Sequence, residues 1–329
     1  MNFCSRKLSI YGKNCYSGHD NGRYGGGMNA ALTRVVIIAD IEGSSGCWSY
    51  EGSSFLTQEW ADACAGMTAD IAAVVTALFD AGVKHVMVKD FHRTGYNLLK
   101  EKIDPRAEIV SGYRRGPVPG FGDPGDAEAL LCIGMHAASG NGGFLPHTLT
   151  SRIGTLEVNG KLLTEVELFS ASLAGYGIRP VFFSGCPVAC SQAREAVHGI
   201  DVYPIDKSMG PDNFDAPAWR RGLCDAAAAS IENRNTQPFR PSGPFHAEVR
   251  MRDGAEAAAK AAVPWGYCYE KDTVYITAES FQSLYDALIR LCYLTPFVER
   301  ILPAGLPVYN CIGRMGLIWA RRKMSSTFA

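Results

Sequence analysis

Asp40 and Glu42 stand two residues apart at the end of the apolar run Val35-Val36-Ile37-Ile38-Ala39. Residues two apart on an extended chain point to the same side. Two carboxylates so placed repel unless a cation or a proton lies between them. Asp90 and His92 repeat the spacing after His85-Val86-Met87-Val88, and His136 comes three residues after Ile133, the end of Leu130-Leu131-Cys132-Ile133. Carboxylates and imidazoles are donors that zinc accepts, and an open position on the metal makes a hydroxide near neutral pH. His147 lies eleven residues beyond His136, across the small-residue loop Ala137 to Gly143. That loop can fold back over a metal, so His147 suits a proton shuttle that does not itself ligate. Thr164-Glu165-Val166-Glu167 opens a helix running to about Ala174. Carboxylates in a first helical turn are electrostatically favoured and can point out of the helix end.

Each residue also has an ordinary reading. Acidic residues after a strand commonly cap turns, a helix-start carboxylate often only offsets the dipole, and a lone histidine is usually a satisfied, partly buried one. Asp90 suits a role orienting a histidine rather than ligation. Convergence is what separates the two readings, and it depends on the elements that carry these residues.

Those elements read as an α/β unit. Val35–Ala39 is nearly all β-branched, as a strand buried on both faces requires. Residues 58–81 carry apolar side chains at helical spacing, and Gly82 is a candidate C-cap. Further strands are expected at 85–88, 108–110, 130–133 and 181–183, separated by helical stretches, which indicates a largely parallel sheet flanked by helices. The strand ends bearing Asp40, His92 and His136 then share one edge, where open α/β sheets place ligands. Segments 207–213 and 238–244 read as linkers around a helix at 216–233. Strands at 246–251 and 273–276 and helices at 254–262 and 279–293 suggest a smaller C-terminal α+β domain. The expected division is a flexible leader over 1–33 (Met28 being a candidate start), a metal-binding α/β domain over 34–206, the α+β domain over 207–312 and a tail over 313–329.

Composition limits the partners. The chain is 47% hydrophobic and 20% charged, with 32 basic and 33 acidic residues. No long basic run argues for nucleic acid or an anionic membrane surface. The 11 cysteines lack the paired spacing of a disulfide framework, and the first residues lack a secretory apolar stretch, so a reducing cytoplasm is the expected location.

The sequence Asp40-Ile41-Glu42-Gly43-Ser44-Ser45-Gly46, then Asp90-Phe91-His92, Gly134-Met135-His136, His147 and Glu165 in order, resembles the zinc-dependent D-aminopeptidases over about residues 34–295. The resemblance implies two zinc ions per subunit held by Asp40, Glu42, His92, His136 and Glu165, with His147 as the catalytic histidine. It also implies hydrolysis of N-terminal D-amino acids from short peptides or amides by a zinc-bound hydroxide, and a decameric ring whose active sites face an inner channel. Three positions depart from the pattern. Phe91 replaces a small polar residue, Glu167 stands where a glycine is expected, and Cys186-Pro187 stands in place of acidic residues. Glu167 is therefore an alternative fifth ligand. Two other functions remain open on the residues alone: a dinuclear phosphoesterase, although no Asn-His-Glu metal motif follows a strand, and a non-catalytic metal-binding relative of the peptidase.

Overall fold

The computed structural model describes residues 32–324; the expected leader lies almost wholly outside the described residues. Six strands form a parallel sheet: β1 (Arg34–Ala39), β2 (His85–Asp90), β3 (Glu108–Val110), β4 (Ala129–Met135), β7 (Arg179–Gly185) and β8 (Asp201–Pro204). Their order is β3-β2-β1-β4-β7-β8. The chain winds outward from β1 through β2 to β3, then returns to add β4 on the other side of β1. Residues Val35↔Val86 and Val35↔Ala129 set the register across the three central strands. The gap between the C-terminal ends of β1 and β4 is thus a topological switch point, where loops diverge and leave a crevice.

The β-branched run in β1 alternates between two cores, as period-two geometry demands. Val36 and Ile38 join the cluster shared with α2 (Glu165–Leu173), α3 (Pro187–Ala196) and the second sheet. Val35, Ile37 and Ala39 join the cluster under α1 (Gln58–Asp80) and α4 (Ala216–Ser230). Helix α1 starts on Thr57, whose hydroxyl accepts the Trp60 amide at 3.0 Å. It ends just before Gly82, which takes φ +97°.

The second sheet is antiparallel, in the order β10-β11-β9-β5-β6. It comprises β5 (Ile153–Val158), β6 (Lys161–Leu162), β9 (Phe245–Met251), β10 (Cys268–Glu270) and β11 (Thr273–Ala278). The sheets therefore do not divide at residue 207. The β5–β6 hairpin comes from inside the stretch assigned to the first domain, while α4, placed by sequence between two linkers, packs on α1 of the parallel layer. Pairing decides this, because β5 hydrogen-bonds to β9 some ninety residues later, and no local pattern announces such a partner. Helices α5 (Gly254–Ala262) and α6 (Phe281–Tyr293) complete the second layer. Residues 313–323, expected as part of a tail, instead end a long helix, α7 (Pro296–Lys323). By length and composition α1 and α7 could each cross a membrane; α1 is the buried core helix of the parallel layer.

Two glycines let the ends of β1 and β4 meet. Gly134 takes φ +80°, and a Cβ there would collide with the Asp40 carbonyl oxygen; a Cβ on Gly43 would collide with the Met135 carbonyl oxygen. In their absence the chains approach closely enough for the Gly43 amide to donate to the Gly134 carbonyl at 2.7 Å and the Asp40 amide to the Ile133 carbonyl at 2.9 Å. Gly134→Ala combines an unfavourable φ with this collision, each costing about 1–3 kcal/mol. The variant is expected to lose at least about 2 kcal/mol in chemical denaturation and to retain less metal after dialysis. Wild-type values for both would refute the account.

Candidate metal centre

Asp40 lies between two imidazoles. Its Oδ1 is 3.0 Å from His92 Nδ1 and its Oδ2 is 3.3 Å from His136 Nε2. Glu42 Oε2 is 3.2 Å from the same His92 nitrogen, and Glu165 Oε2 is 3.5 Å from the same His136 nitrogen. The five residues proposed as ligands therefore converge, four of them from the segments that follow β1, β2 and β4 and one from the first turn of α2. Their side chains are at most 10% exposed, so bulk water cannot compensate their charge.

The outer ring nitrogens fix which atoms face inward. His92 Nε2–H donates to the Ser53 carbonyl at 2.9 Å, leaving Nδ1 toward the carboxylates. His136 Nδ1–H donates to the Ala137 carbonyl at 3.1 Å, leaving Nε2 inward. Orientation of a ligating imidazole through its far nitrogen is a regular feature of metal sites. Among the described residues, Glu42 Oε2 and His136 Nε2 are buried without any hydrogen-bond partner. Their neighbours lie within 3.5 Å yet in directions that form no hydrogen bond. His92 Nδ1 and Asp40 Oδ1 share a hydrogen bond at 3.0 Å, while the two unpartnered donor atoms beside them fit a cation. Two overlapping groups meet that description: Asp40, Glu42 and His136, and His136, His147 and Glu165, each with its candidate ligand atoms within 4.8 Å of one another.

Electrostatics tie these groups together. Burial would raise the Asp40 carboxyl, but His136 and His92 beside it hold it well below the usual range. Burial likewise opposes the charged form of His92, yet Glu42 and Asp40 push it up to about 10. His136 is held well above its ordinary value against burial, chiefly by Glu165 and Asp40. Glu165 is lowered, burial being outweighed by His136. The carboxylates thus favour positive charge on both imidazoles.

His147 behaves differently. Its ring stacks on His136 with centroids 3.7 Å apart and planes 14° from parallel. Burial and then the neighbouring His136 lower its pKa, and its Nδ1–H donates to the Leu145 carbonyl at 2.9 Å. A neutral ring lining the cavity, with a nitrogen within 4.8 Å of the candidate ligand atoms of His136 and Glu165, is suited to accept a proton.

Glu167 has another task. Its carboxylate accepts from the Thr164 amide at 2.9 Å and hydroxyl at 2.7 Å, while its own amide donates to the Thr164 hydroxyl at 3.3 Å. This capping box occupies it, and Glu165 is the one turned to the centre, also accepting the Leu149 amide at 2.7 Å. Asp90 does not touch an imidazole. It binds the Asn97 and Leu98 amides and the Asn97 side chain, whose amide nitrogen also donates to the His92 carbonyl. It shapes the loop after β2, and Ser53 orients the ring.

Sequence reasoning missed the supports. Asp70 accepts the Ser45 amide at 2.7 Å and hydroxyl at 2.6 Å and pairs with Arg220 at 2.9 Å, which pins the loop after β1. Buried Lys207, lowered to about 8 by burial, donates to the Ser44 and Cys47 carbonyls of the same loop. Backbone carbonyls leave no trace in residue type, so these contacts had no sequence signal. A cavity of about 1640 Å³ opens over the centre. Phe91 lines it, while Glu167 and Cys186 do not, so two of the three departures leave its wall untouched.

A sequence model of the family described as D-aminopeptidase matches residues 33–289. The chain belongs to the D-aminopeptidase family, a family of hydrolases. A curated D-aminopeptidase of Bacillus subtilis (strain 168) is 26% identical over 229 residues, spanning 63% of this chain and 79% of that one. A solved structure described as the Zn-dependent D-aminopeptidase DppA from Bacillus subtilis, a self-compartmentalizing protease, aligns with a TM-score of 0.71 at 19% identity. That alignment covers 79% of this chain and 97% of the other, so the α/β architecture is shared.

Loading the centre must displace protons, because His92 titrates at about 10 and His136 well above its ordinary value. Both raised groups are protonated at neutral pH and must be neutral to ligate. Zinc binding at pH 7 is expected to release about two protons and to tighten as pH rises. Calorimetry in buffers of different ionisation enthalpy measures the release; none at pH 7 would contradict this electrostatic account.

Proposed function

We propose that the protein is a zinc-dependent aminopeptidase that removes N-terminal D-amino acids from short peptides or amides. Asp40, Glu42, His92, His136 and Glu165 would hold two zinc ions and His147 would be catalytic. The observation that carries this reading is Asp40 reaching both His92 and His136, with Glu42 beside the first and Glu165 beside the second, in a chain of the D-aminopeptidase family. The zinc dependence of the DppA relative supports the choice of metal. Three buried carboxylates favour two divalent ions over one, because a single ion would leave net negative charge out of reach of water.

Bound zinc supplies Lewis acidity, polarising a peptide carbonyl and bringing the pKa of water to about 7. Asp40 holds the two sides of the centre together through its two oxygens. His147 Nε2 takes a proton from the attacking water and returns it to the leaving amine; its lowered pKa keeps it a base at neutral pH. Family membership favours this over phosphate-ester hydrolysis, and a non-catalytic relative would bind zinc without turnover. The cavity also contains Arg114, Arg115, Arg152 and Arg252 with Asp253. These arginines suit the free carboxylate of a short peptide. We further propose that the chain works in the cytoplasm and assembles into a decameric ring with the cavity facing an inner channel. The description of DppA as self-compartmentalizing supports the assembly, and light scattering would test it.

The central experiment pairs metal analysis with assay of D- and L-aminoacyl amides. His147→Ala should keep wild-type zinc content while kcat falls about 100-fold or more; loss of zinc in that variant would make His147 a ligand instead. Zinc-loaded wild-type protein that cleaves no aminoacyl substrate would exclude the peptidase reading. Amidating the C-terminus of a cleaved dipeptide should raise KM about tenfold, the size of one charge-assisted hydrogen bond, and Arg115→Ala should shrink that difference.

A further inference from the structure

Helix α7 begins at Pro296, beyond residue 289 where the family match ends, yet it forms a wall of the cavity. Its C-terminal half is fixed. Trp319 stacks on Trp60 of α1 with centroids 6.4 Å apart, Gly316 lies against the Phe55 ring, Arg321 pairs with Glu101 at 2.5 Å, and the Gln58 side chain donates to the Lys323 carbonyl at 2.5 Å. Midway, the Asn310 side chain accepts the Tyr113 amide and donates to its carbonyl, both at 3.0 Å. This joins α7 to the loop carrying Arg114 and Arg115. Anchored there, the N-terminal half turns one stripe to the cavity: Val298, Ile301, Leu302, Leu306, Tyr309 and Ile312. Counted from Val298 these positions fall at i, i+3, i+4, i+8, i+11 and i+14, as one helical face requires.

The stripe holds no charged residue and still meets solvent, with Ile301 42% and Ile312 50% exposed. Phe91, Phe169, Leu149 and Tyr293 line the same cavity. Apolar side chains lining one cavity with the candidate metal centre gain most by closing on an apolar group. We propose that α7 is a specificity wall, and that the peptides this enzyme cleaves carry a bulky apolar side chain at one of the two residues flanking the scissile bond.

This inference rests on the peptidase reading, and the test separates them. Dipeptides would be assayed with D-alanine, D-leucine or D-phenylalanine at the first position, and with alanine, leucine or phenylalanine at the second. Wild-type kcat/KM should favour a bulky apolar residue over alanine at one position by about tenfold or more, the range that buried methylene groups give. Leu302→Asp should cut that ratio at least tenfold, and the milder pair Leu302→Ala with Leu306→Ala should lower it too, with zinc content and circular dichroism as wild type. Calorimetric binding of free phenylalanine against free alanine, in either chirality, offers no bond to cleave and should show the same preference and its loss. Turnover without preference, or with a ratio that the α7 variants leave alone, overturns the wall while the peptidase stands. Apolar preference in binding without turnover sinks the peptidase and keeps the wall. An unchanged ratio accompanied by altered mass in solution would assign the stripe to contact between copies and overturn the inference.

Discussion

Three carboxylates are gathered in a space that water barely reaches, and everything around them answers the resulting repulsion. Asp40, Glu42 and Glu165 cannot remain ionised together without positive charge between them. The carboxylates raise both imidazoles against their burial and so favour positive charge on His92 and His136. On the proposed metal reading, the same ring nitrogens would be lone-pair donors to a cation, and the far nitrogens, tied to the Ser53 and Ala137 carbonyls, already hold the rings in place.

Holding like charges together is costly, and the cost falls on the scaffold. The loop after β1 is tied by Asp70 and Arg220 on one side and by Lys207 on the other, and Gly43 and Gly134 let it press against the end of β4. These contacts are buried and polar, so each is strong only while its partner is present. The second layer contributes as well: α2 presents Glu165 at its first turn, while the capping box fixes where that turn begins. His147 arrives through a hydrogen bond from its backbone amide to the carbonyl of Ala137, the residue next to His136, which stacks the two rings.

The departures from the family pattern show how a local change is absorbed. Phe91 packs edge-on against Phe169 at 4.7 Å and Tyr113 at 5.9 Å, turning a position next to a candidate ligand into part of an aromatic wall. That wall faces α7, an element beyond the family match. Buried Lys89 underlies the same region, its ammonium 5.8 Å from the Phe91 ring and bonded to the Gly112 carbonyl. Cavity shape is thus set by residues other than those of the cluster.

Much of the parallel layer was legible in the sequence because its signals are local. A β-branched run, a helical stripe ending before glycine, and acidic or imidazole residues at fixed offsets from strands each lie within a short window. The antiparallel sheet was half legible: β9 and β11 could be read, but the pairing of β5 and β6 with them, and so where the layers divide, depends on partners distant in the chain. Glu165 and Glu167 are alike in type; the approach from Asn159-Gly160 favours Glu165, and the capping box that occupies Glu167 separates them in the structure. Ser53, Ala137 and Leu145 act through carbonyls, which every residue possesses. Residue chemistry announced that a cation was wanted. Which atoms surround it, and what covers it, was decided by the strand order that sets β1 between β2 and β4 and by the helix that closes over the crevice.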